Sequence, residues 1–348
     1  MKRIERFKVA WISLTYQCNN KCRWCYAASN DSSIERKHLD FKLENEVVRL
    51  FSELKIPRTI LIGGEPTLYS NLENFIQNLT NSGIKTGMIT NGRKFKNRNF
   101  VKRLKRAGLN YTTISIEGSC PEIHDKTTCI KGSLEESLEG LRIAQEEGII
   151  ISTNTLISSI NLNDLDDCFK MLIEKNIKNI GYNICGMCIT KNSNNDYIIN
   201  PKDAISAFER IYLLAKQKNI EVRLVTPMPH CNFDNKLITE LKTKNLIANG
   251  PCQLVHGRNF VLDYNGDVVP CTHLTEFPIF NAVKNNNIIS GEEFLSRYNS
   301  EEAQKFRETI CRYPSVKCKN CNESCTGGCP LYWIRIDPEK EIRGCLTT

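Results

Sequence analysis

The sequence contains no run of eighteen apolar residues, which excludes a membrane-spanning helix. Its start, MKRIERFKVAWISLTYQC, is basic, but the apolar part is short, alternates like a strand and lacks a small-residue cleavage site, so it is not a signal peptide. No repeat of fixed period appears. Charge is not gathered into blocks: 47 Lys and Arg against 39 Asp and Glu leave a net +8 that is spread along the chain. The densest basic run, KRLKR at 102–106, falls where a helix is expected and reads as a solvated face rather than a nucleic-acid patch. The remaining composition, 41% hydrophobic and 25% charged, is that of an ordinary soluble enzyme, with one exception. There are 17 cysteines.

In a chain of this length without an export signal, that number argues against disulfides and for metal binding in a reducing cytoplasm. The distribution is lopsided. Cys18, Cys22 and Cys25 cluster near the start, seven more form a pattern after residue 251, and the others are scattered.

Residues 8–226 alternate strand-like and helix-like segments. KVAWISLTY alternates in polarity, ENEVVRLFSEL repeats at helical spacing, RTILIGG reads as a strand, and the alternation continues to EVRLVT. Six βα units or slightly more imply a parallel sheet with right-handed crossovers. The texture changes after about residue 227, so the expected division is 1–227 and 228–348. NFVLDYNGDVVPC predicts a hairpin turning at Asn265-Gly266. The rest of the tail is short, polar and cysteine-dense, too poor in apolar periodicity for a core of its own.

Cys18, Cys22 and Cys25 are spaced C-x3-C-x2-C just after the first strand, at the sheet face where βα loops build active sites. Three thiolates on one loop can hold three irons of a [4Fe–4S] cube, leaving the fourth open to a ligand. The alternative is a zinc or iron site closed by a distant fourth residue.

The loop resembles the signature of the radical S-adenosylmethionine (SAM) superfamily, C-x3-C-x-Φ-C with Trp24 as the aromatic Φ. Supporting segments fall in register over roughly 9–226: Gly63-Gly64-Glu65 in ILIGGEPTL, ITNG at 89–92, and ISIEGSCPEIHDK at 114–126. The resemblance implies a partial (β/α)6 TIM-like barrel. It also implies that backbone and carboxylate at Gly63, Gly64 and Glu65 receive the methionine ammonium of SAM. Ser115 and Glu117 would then reach its ribose or methionine. The implied reaction is reductive cleavage of SAM to a 5′-deoxyadenosyl radical that takes a hydrogen atom from a C–H bond.

The tail pattern is Cys252-x13-Gly266-x4-Cys271, then Cys318-x2-Cys321-x3-Cys325-x3-Cys329, then Cys345. It resembles the SPASM extension of radical SAM enzymes, a small cysteine-rich domain housing two auxiliary [4Fe–4S] clusters. Three residues between Cys321 and Cys325 depart from the usual five. Zinc ribbons are the alternative. By the resemblance, Cys252, Cys271 and Cys329 hold the inner cluster, and Cys318, Cys321, Cys325 and Cys345 the outer one. Seven thiolates for two cubes leave one place short. Either that corner stays open to substrate, the favoured expectation, or Cys231 in PMPHCNFD fills it.

Cys185 and Cys188, in NICGMC after the sixth strand, are candidate thiols for returning a hydrogen atom to a substrate radical; small packing residues are the plainer reading. His124 and Asp125 are expected to brace a loop. Enzymes with this tail most often modify ribosomally made peptides, by crosslinking, epimerisation or oxidation, so a peptide is the expected substrate and a flavodoxin- or ferredoxin-type protein the expected reductant. Only seventeen residues precede Cys18, short for a peptide-binding wing, so leader recognition is expected from a separate protein or from the catalytic domain itself. Thr272 stands where the sulfatase-maturing branch carries an acid. Rival readings are the same chemistry on an aminosugar or tetrapyrrole, and a non-catalytic iron–sulfur or zinc protein. No membrane or nucleic-acid partner is expected.

Overall fold

The computed structural model describes residues 3–27, 37–185, 197–248, 257–312, 325, 327–334 and 337. Seven strands run parallel in chain order: β1 (Val9–Ser13), β2 (Arg58–Ile62), β3 (Lys85–Thr90), β4 (Leu109–Ser115), β5 (Ile150–Ile157), β6 (Asn179–Ile184) and β7 (Glu221–Leu224). Helices follow the strands. They are α1 (Phe41–Glu53), α2 (Leu72–Asn81), α3 (Arg98–Ala107), the pair α4 (Pro121–Thr128) and α5 (Ser133–Glu146), α6 (Leu165–Glu174) and α7 (Pro201–Gln217). Beyond β7 comes α8 (Asn235–Thr243).

Local chemistry explains the elements. The Asp40 side chain caps α1 by accepting from the Lys42 amide at 2.9 Å, and Leu43, Val47, Leu50 and Phe51 then fall on one buried face. In β4 the residues alternate: Thr112 and Ile114 are buried under the helices, while Tyr111, Thr113 and Ser115 lie half-buried on the other face. That inner face has its own small apolar cluster, in which Trp11, Ile60 and Ile89 pack against Ile62, Val261 and Val269. Tyr111 packs tightly over Gly87, where a Cβ would stand 2.1 Å from its ring. Only glycine leaves it that room. KRLKR lies on α3, with Lys102, Arg103, Lys105 and Arg106 all exposed, as a solvated face requires.

The tail joins the same sheet. β8 (Asn259–Leu262) pairs in parallel with the free edge of β1, Val9 facing Asn259. β9 (Asp267–Val269) returns antiparallel as the expected hairpin, and β10 (Phe280–Asn281) adds to β9. The ten-stranded order is β10-β9-β8-β1-β2-β3-β4-β5-β6-β7, an open sheet rather than a closed barrel. A separate two-stranded ribbon pairs β11 (Val283–Lys284) with β12 (Asn287–Ile288). The tail helices α9 (Gly291–Tyr298) and α10 (Glu301–Arg312) form no apolar cluster of their own among the described residues. Phe294 and Tyr298 instead pack on Phe7 and Phe260, with ring centroids 4.8–6.2 Å apart. No helix among the described residues is long and apolar enough to cross a membrane.

Candidate active site and cluster centres

The cysteine loop leaves β1 at the carboxyl ends of the strands and is seated on the turn after β2. Gly64 and Glu65 donate backbone hydrogen bonds to the carbonyls of Thr15 (2.6 Å) and Gln17 (2.7 Å). This approach is close enough that a Cβ on Gly63, at φ +145°, would fall 2.2 Å from the Thr15 oxygen. On the far side, the amides of Lys21 and Arg23 donate to Thr128 and Thr127 at the end of α4, at 2.9 and 3.4 Å. The loop is therefore held from two directions.

The three thiols are half-buried within it. The Asn20 amide donates to Cys18 Sγ at 3.3 Å. Burial, then the Glu65 carboxylate, pushes the Cys18 thiol up to about 12. Cys22 is raised too, by burial first and then by Cys25 and Cys18. Three thiols that oppose one another's ionisation favour thiolate only when a cationic centre neutralises them, so the donor set fits an iron–sulfur cluster. Trp24 meets the ring of Tyr197 edge-on, with centroids 5.9 Å apart.

Glu65 is buried at 1% exposure and fully engaged. Its Oε1 accepts from the Thr67 amide (3.1 Å) and from the hydroxyls of Thr67 and Thr90 (both 2.6 Å), and its Oε2 from the Asn91 amide (2.8 Å). The carboxylate thus joins the turn after β2 to ITNG at the end of β3. Asn91 continues the contact, donating to Asn19 Oδ1 of the cysteine loop at 2.7 Å.

Glu117 is buried beyond β4, where desolvation raises its carboxyl to about 7 although the Leu156 amide donates to it at 2.9 Å. His124 Nδ1 accepts from the Glu117 amide at 3.0 Å, and burial lowers that imidazole to about 4, leaving it neutral. Asp125 accepts from the Gly132 and Leu134 amides and the Ser133 hydroxyl, so both residues brace the loop. Ser115 lies beside Asn154 in register. From Asn154 a polar ladder crosses the inner face: Asn183 Nδ2 donates to Asn154 Oδ1, Thr226 Oγ1 to Asn183 Oδ1, both at 3.0 Å.

The tail meets the cysteine loop through residues with no local sequence signal. The Tyr16 hydroxyl donates to Asp263 Oδ2, and Tyr26 stands 5.3 Å from the His273 ring while its hydroxyl donates to the Gly63 carbonyl at 3.2 Å. Burial first, then Cys25, Asp263, Cys271 and Cys18, push the Tyr26 phenol up, so this ring feels cysteines of both centres. At Cys271 burial favours the thiol, but hydrogen bonding and charge at His273, with Thr272, outweigh it and the pKa is lowered. Cys325 Sγ accepts from the His230 and Gly327 amides at 3.4 and 3.3 Å, the N–H···S contacts that suit a cluster thiolate. Between these cysteines in sequence, Arg307 is 2% exposed and stacked 4.6 Å over Tyr298, and its Nε and Nη1 have no partner among the described residues.

Cys185 is buried directly after β6, its amide donating to the Ile157 carbonyl at 2.9 Å. Cys188, Cys252, Cys318, Cys321 and Cys345 lie outside the described residues.

The family model described as the radical SAM superfamily matches residues 12–172, and SPASM, an iron–sulfur cluster-binding domain, matches 252–322. Among curated relatives, the Fe-coproporphyrin III synthase of Methanosarcina barkeri is 31% identical over 49% of this chain and 42% of its own length. The GTP 3′,8-cyclase of Aquifex aeolicus is 34% identical over 43% of this chain and 48% of its own. The chain thus spans less than half the length of these relatives. Among solved structures, native anSMEcpe with bound AdoMet has a TM-score of 0.70 at 18% identity, covering 92% of this chain and 89% of that one. Streptococcus suis SuiB bound to precursor peptide SuiA also scores 0.70, at 16% identity, covering 97% and 75%. At such identities the likeness is one of fold. A radical SAM domain binds a [4Fe–4S] cluster and SAM, and a SPASM domain binds auxiliary iron–sulfur clusters. With both matches falling in the order of the two cysteine patterns, the chain carries a radical SAM domain followed by a SPASM domain.

Proposed function

We propose that this protein reductively cleaves SAM and uses the resulting radical to modify a ribosomally made peptide. Residues 1–227 act as the catalytic partial barrel and 228–348 as the auxiliary-cluster domain. The observation that carries the reading is the seating of Cys18, Cys22 and Cys25 on the Gly63-Gly64-Glu65 turn at the carboxyl ends of the parallel strands. Cluster and SAM, when bound there, supply one-electron cleavage to a 5′-deoxyadenosyl radical that abstracts hydrogen from a substrate C–H bond.

The chain's own residues position and insulate. Gly63 lets the backbone approach closely, Glu65 fixes two βα turns against each other, and Ser115 and Glu117 flank the place for the nucleoside. Tyr111 packs over Gly87 on the inner face, and the Asn154–Asn183–Thr226 ladder presents amide and hydroxyl groups suited to a peptide backbone. A peptide-bound neighbour of the same fold, SuiB with SuiA, supports this substrate class. A flavodoxin- or ferredoxin-type donor supplies the electron, a separate protein or the catalytic domain itself recognises the leader, and the reaction is cytoplasmic.

A second reading, the same chemistry on a small molecule, is favoured by the 31% and 34% identities to the Fe-coproporphyrin III synthase and the GTP 3′,8-cyclase. The test is to supply anaerobically reconstituted protein with SAM and dithionite and measure 5′-deoxyadenosine. Formation is expected from the parent and none from the Cys18→Ala, Cys22→Ala, Cys25→Ala triple variant. Absence from the parent refutes the enzyme reading. A mass change on a candidate precursor peptide then separates the two substrate classes.

A further inference from the structure

Two cubanes call for eight thiolates, and the tail pattern offers seven. Cys231 lies upstream of that pattern and outside the SPASM match, yet the fold carries it to the same place. Residues 227–231 run against the CTGGCP turn through contacts on three different residues of that turn. The Cys329 amide donates to the Pro227 carbonyl at 2.9 Å. The His230 amide donates to Cys325 Sγ at 3.4 Å. Between them, Gly328 sits at φ +86°, where a Cβ would meet Pro229 Cδ at 2.9 Å, the Pro227 oxygen at 3.0 Å and Met228 Cα at 3.1 Å. The two segments therefore touch backbone to backbone, an approach that only glycine permits.

Proline at 227 and 229 fixes the approach of the upstream segment, and the short turn His230–Asn232 follows at once. Cys231 is half-buried in that turn and packs, like Cys329, at the edge of the main core. Its neighbour in sequence already donates a backbone hydrogen bond to a cluster-type sulfur. The backbone that carries this thiol therefore contacts two pattern cysteines that are nearly one hundred residues away in sequence, while the thiol itself donates a long 3.8 Å contact to Asn232 Oδ1.

We propose that Cys231 supplies the eighth thiolate and completes the auxiliary cluster that Cys329 ligates. On binding, the thiol gives its proton to solvent and one Fe–S bond forms, with no change in iron oxidation state. The inner cluster then has four protein ligands, in place of an open corner, and substrate does not coordinate it. The inference rests on the SPASM domain and not on the proposed peptide reaction, and its test uses no turnover.

The parent for the test is the full chain carrying Cys18→Ala, Cys22→Ala and Cys25→Ala, reconstituted anaerobically so that iron reports the auxiliary sites alone. It is expected to hold about eight irons. Adding Cys231→Ala is expected to remove about four, or to convert one cube to a three-iron species with its own electron paramagnetic resonance signal. Cyanide, as the probe for an exposed iron, should perturb any four-iron cluster left in that variant and leave the parent unchanged. Cys231→Ser guards against a folding failure: it should keep the iron but shift the resonance of one cluster. Parent-like iron content and spectra in Cys231→Ala overturn the proposal, as does an unshifted spectrum in Cys231→Ser or a cyanide response in the parent.

Discussion

The Tyr16 hydroxyl donates a 2.7 Å hydrogen bond to the Asp263 carboxylate, tying the cysteine loop to the hairpin that leads to Cys271. Asp263 is 4% exposed, and its carboxyl is raised by burial, with the Tyr16, Tyr264 and Ser13 hydrogen bonds acting against that rise. Tyr16→Phe removes one donor from a carboxylate that water cannot reach. The expected cost is about 1–3 kcal/mol in urea unfolding of the reconstituted protein. Asp263→Asn should cost less, because it removes the buried charge and keeps one amide oxygen to accept from Tyr16. Equal stability of parent and Tyr16→Phe would show the contact to be incidental.

Gly63→Ala should damage the site more than the fold. A methyl group there would press on the Thr15 carbonyl, which is backbone and cannot swing aside, and φ +145° is itself disfavoured for alanine. A loss of at least about 2 kcal/mol follows, together with weaker binding of SAM. Thermal unfolding reads the first effect, and the change that SAM makes to the reduced cluster's spectrum reads the second.

Glu117 predicts a pH dependence. Its carboxyl titrates near 7 in the folded chain against an ordinary 4.5, so the folded state holds the proton more tightly than the unfolded state. Stability from this group is fully present below pH 4.5, falls as pH rises through about 7, and amounts to roughly 3 kcal/mol over that window. Glu117→Gln should flatten the profile between those limits. A variant with the same slope as the parent would assign the titration elsewhere.

Asn183 tests the inner-face ladder. Asn183→Leu removes the bonds to Asn154 and Thr226 without touching the cysteine loop. Peptide modification should fall about tenfold or more, mainly through KM, while 5′-deoxyadenosine formed without peptide stays within about twofold. A parallel fall in both would make the ladder structural.

What the sequence disclosed was whatever chemistry is local. The βα alternation, the turn at Asn265-Gly266, the solvated face of KRLKR and the bracing by Asp125 each depend on neighbours a few residues away, and each stands where its pattern implied. Cys18, Cys22 and Cys25 were legible for the same reason. By contrast, β8 beside β1, Tyr16 with Asp263, Tyr26 between the two centres, and Pro227 against Cys329 join segments far apart in the chain. No periodicity carries such pairings. The helix Gly291–Tyr298 is not legible in the sequence, because its apolar stripe completes a surface built by Phe7 and Phe260 and reads as thin when taken alone.

The pairing of Val9 with Asn259 also has a temporal consequence. During synthesis the first strand gains one neighbour early, but its other edge waits for some 250 more residues, on the order of tens of seconds at ordinary elongation rates. Until then the strand presents an unpaired ladder just ahead of three thiols that await metal, so chaperone cover and late metal loading are to be expected in the cell.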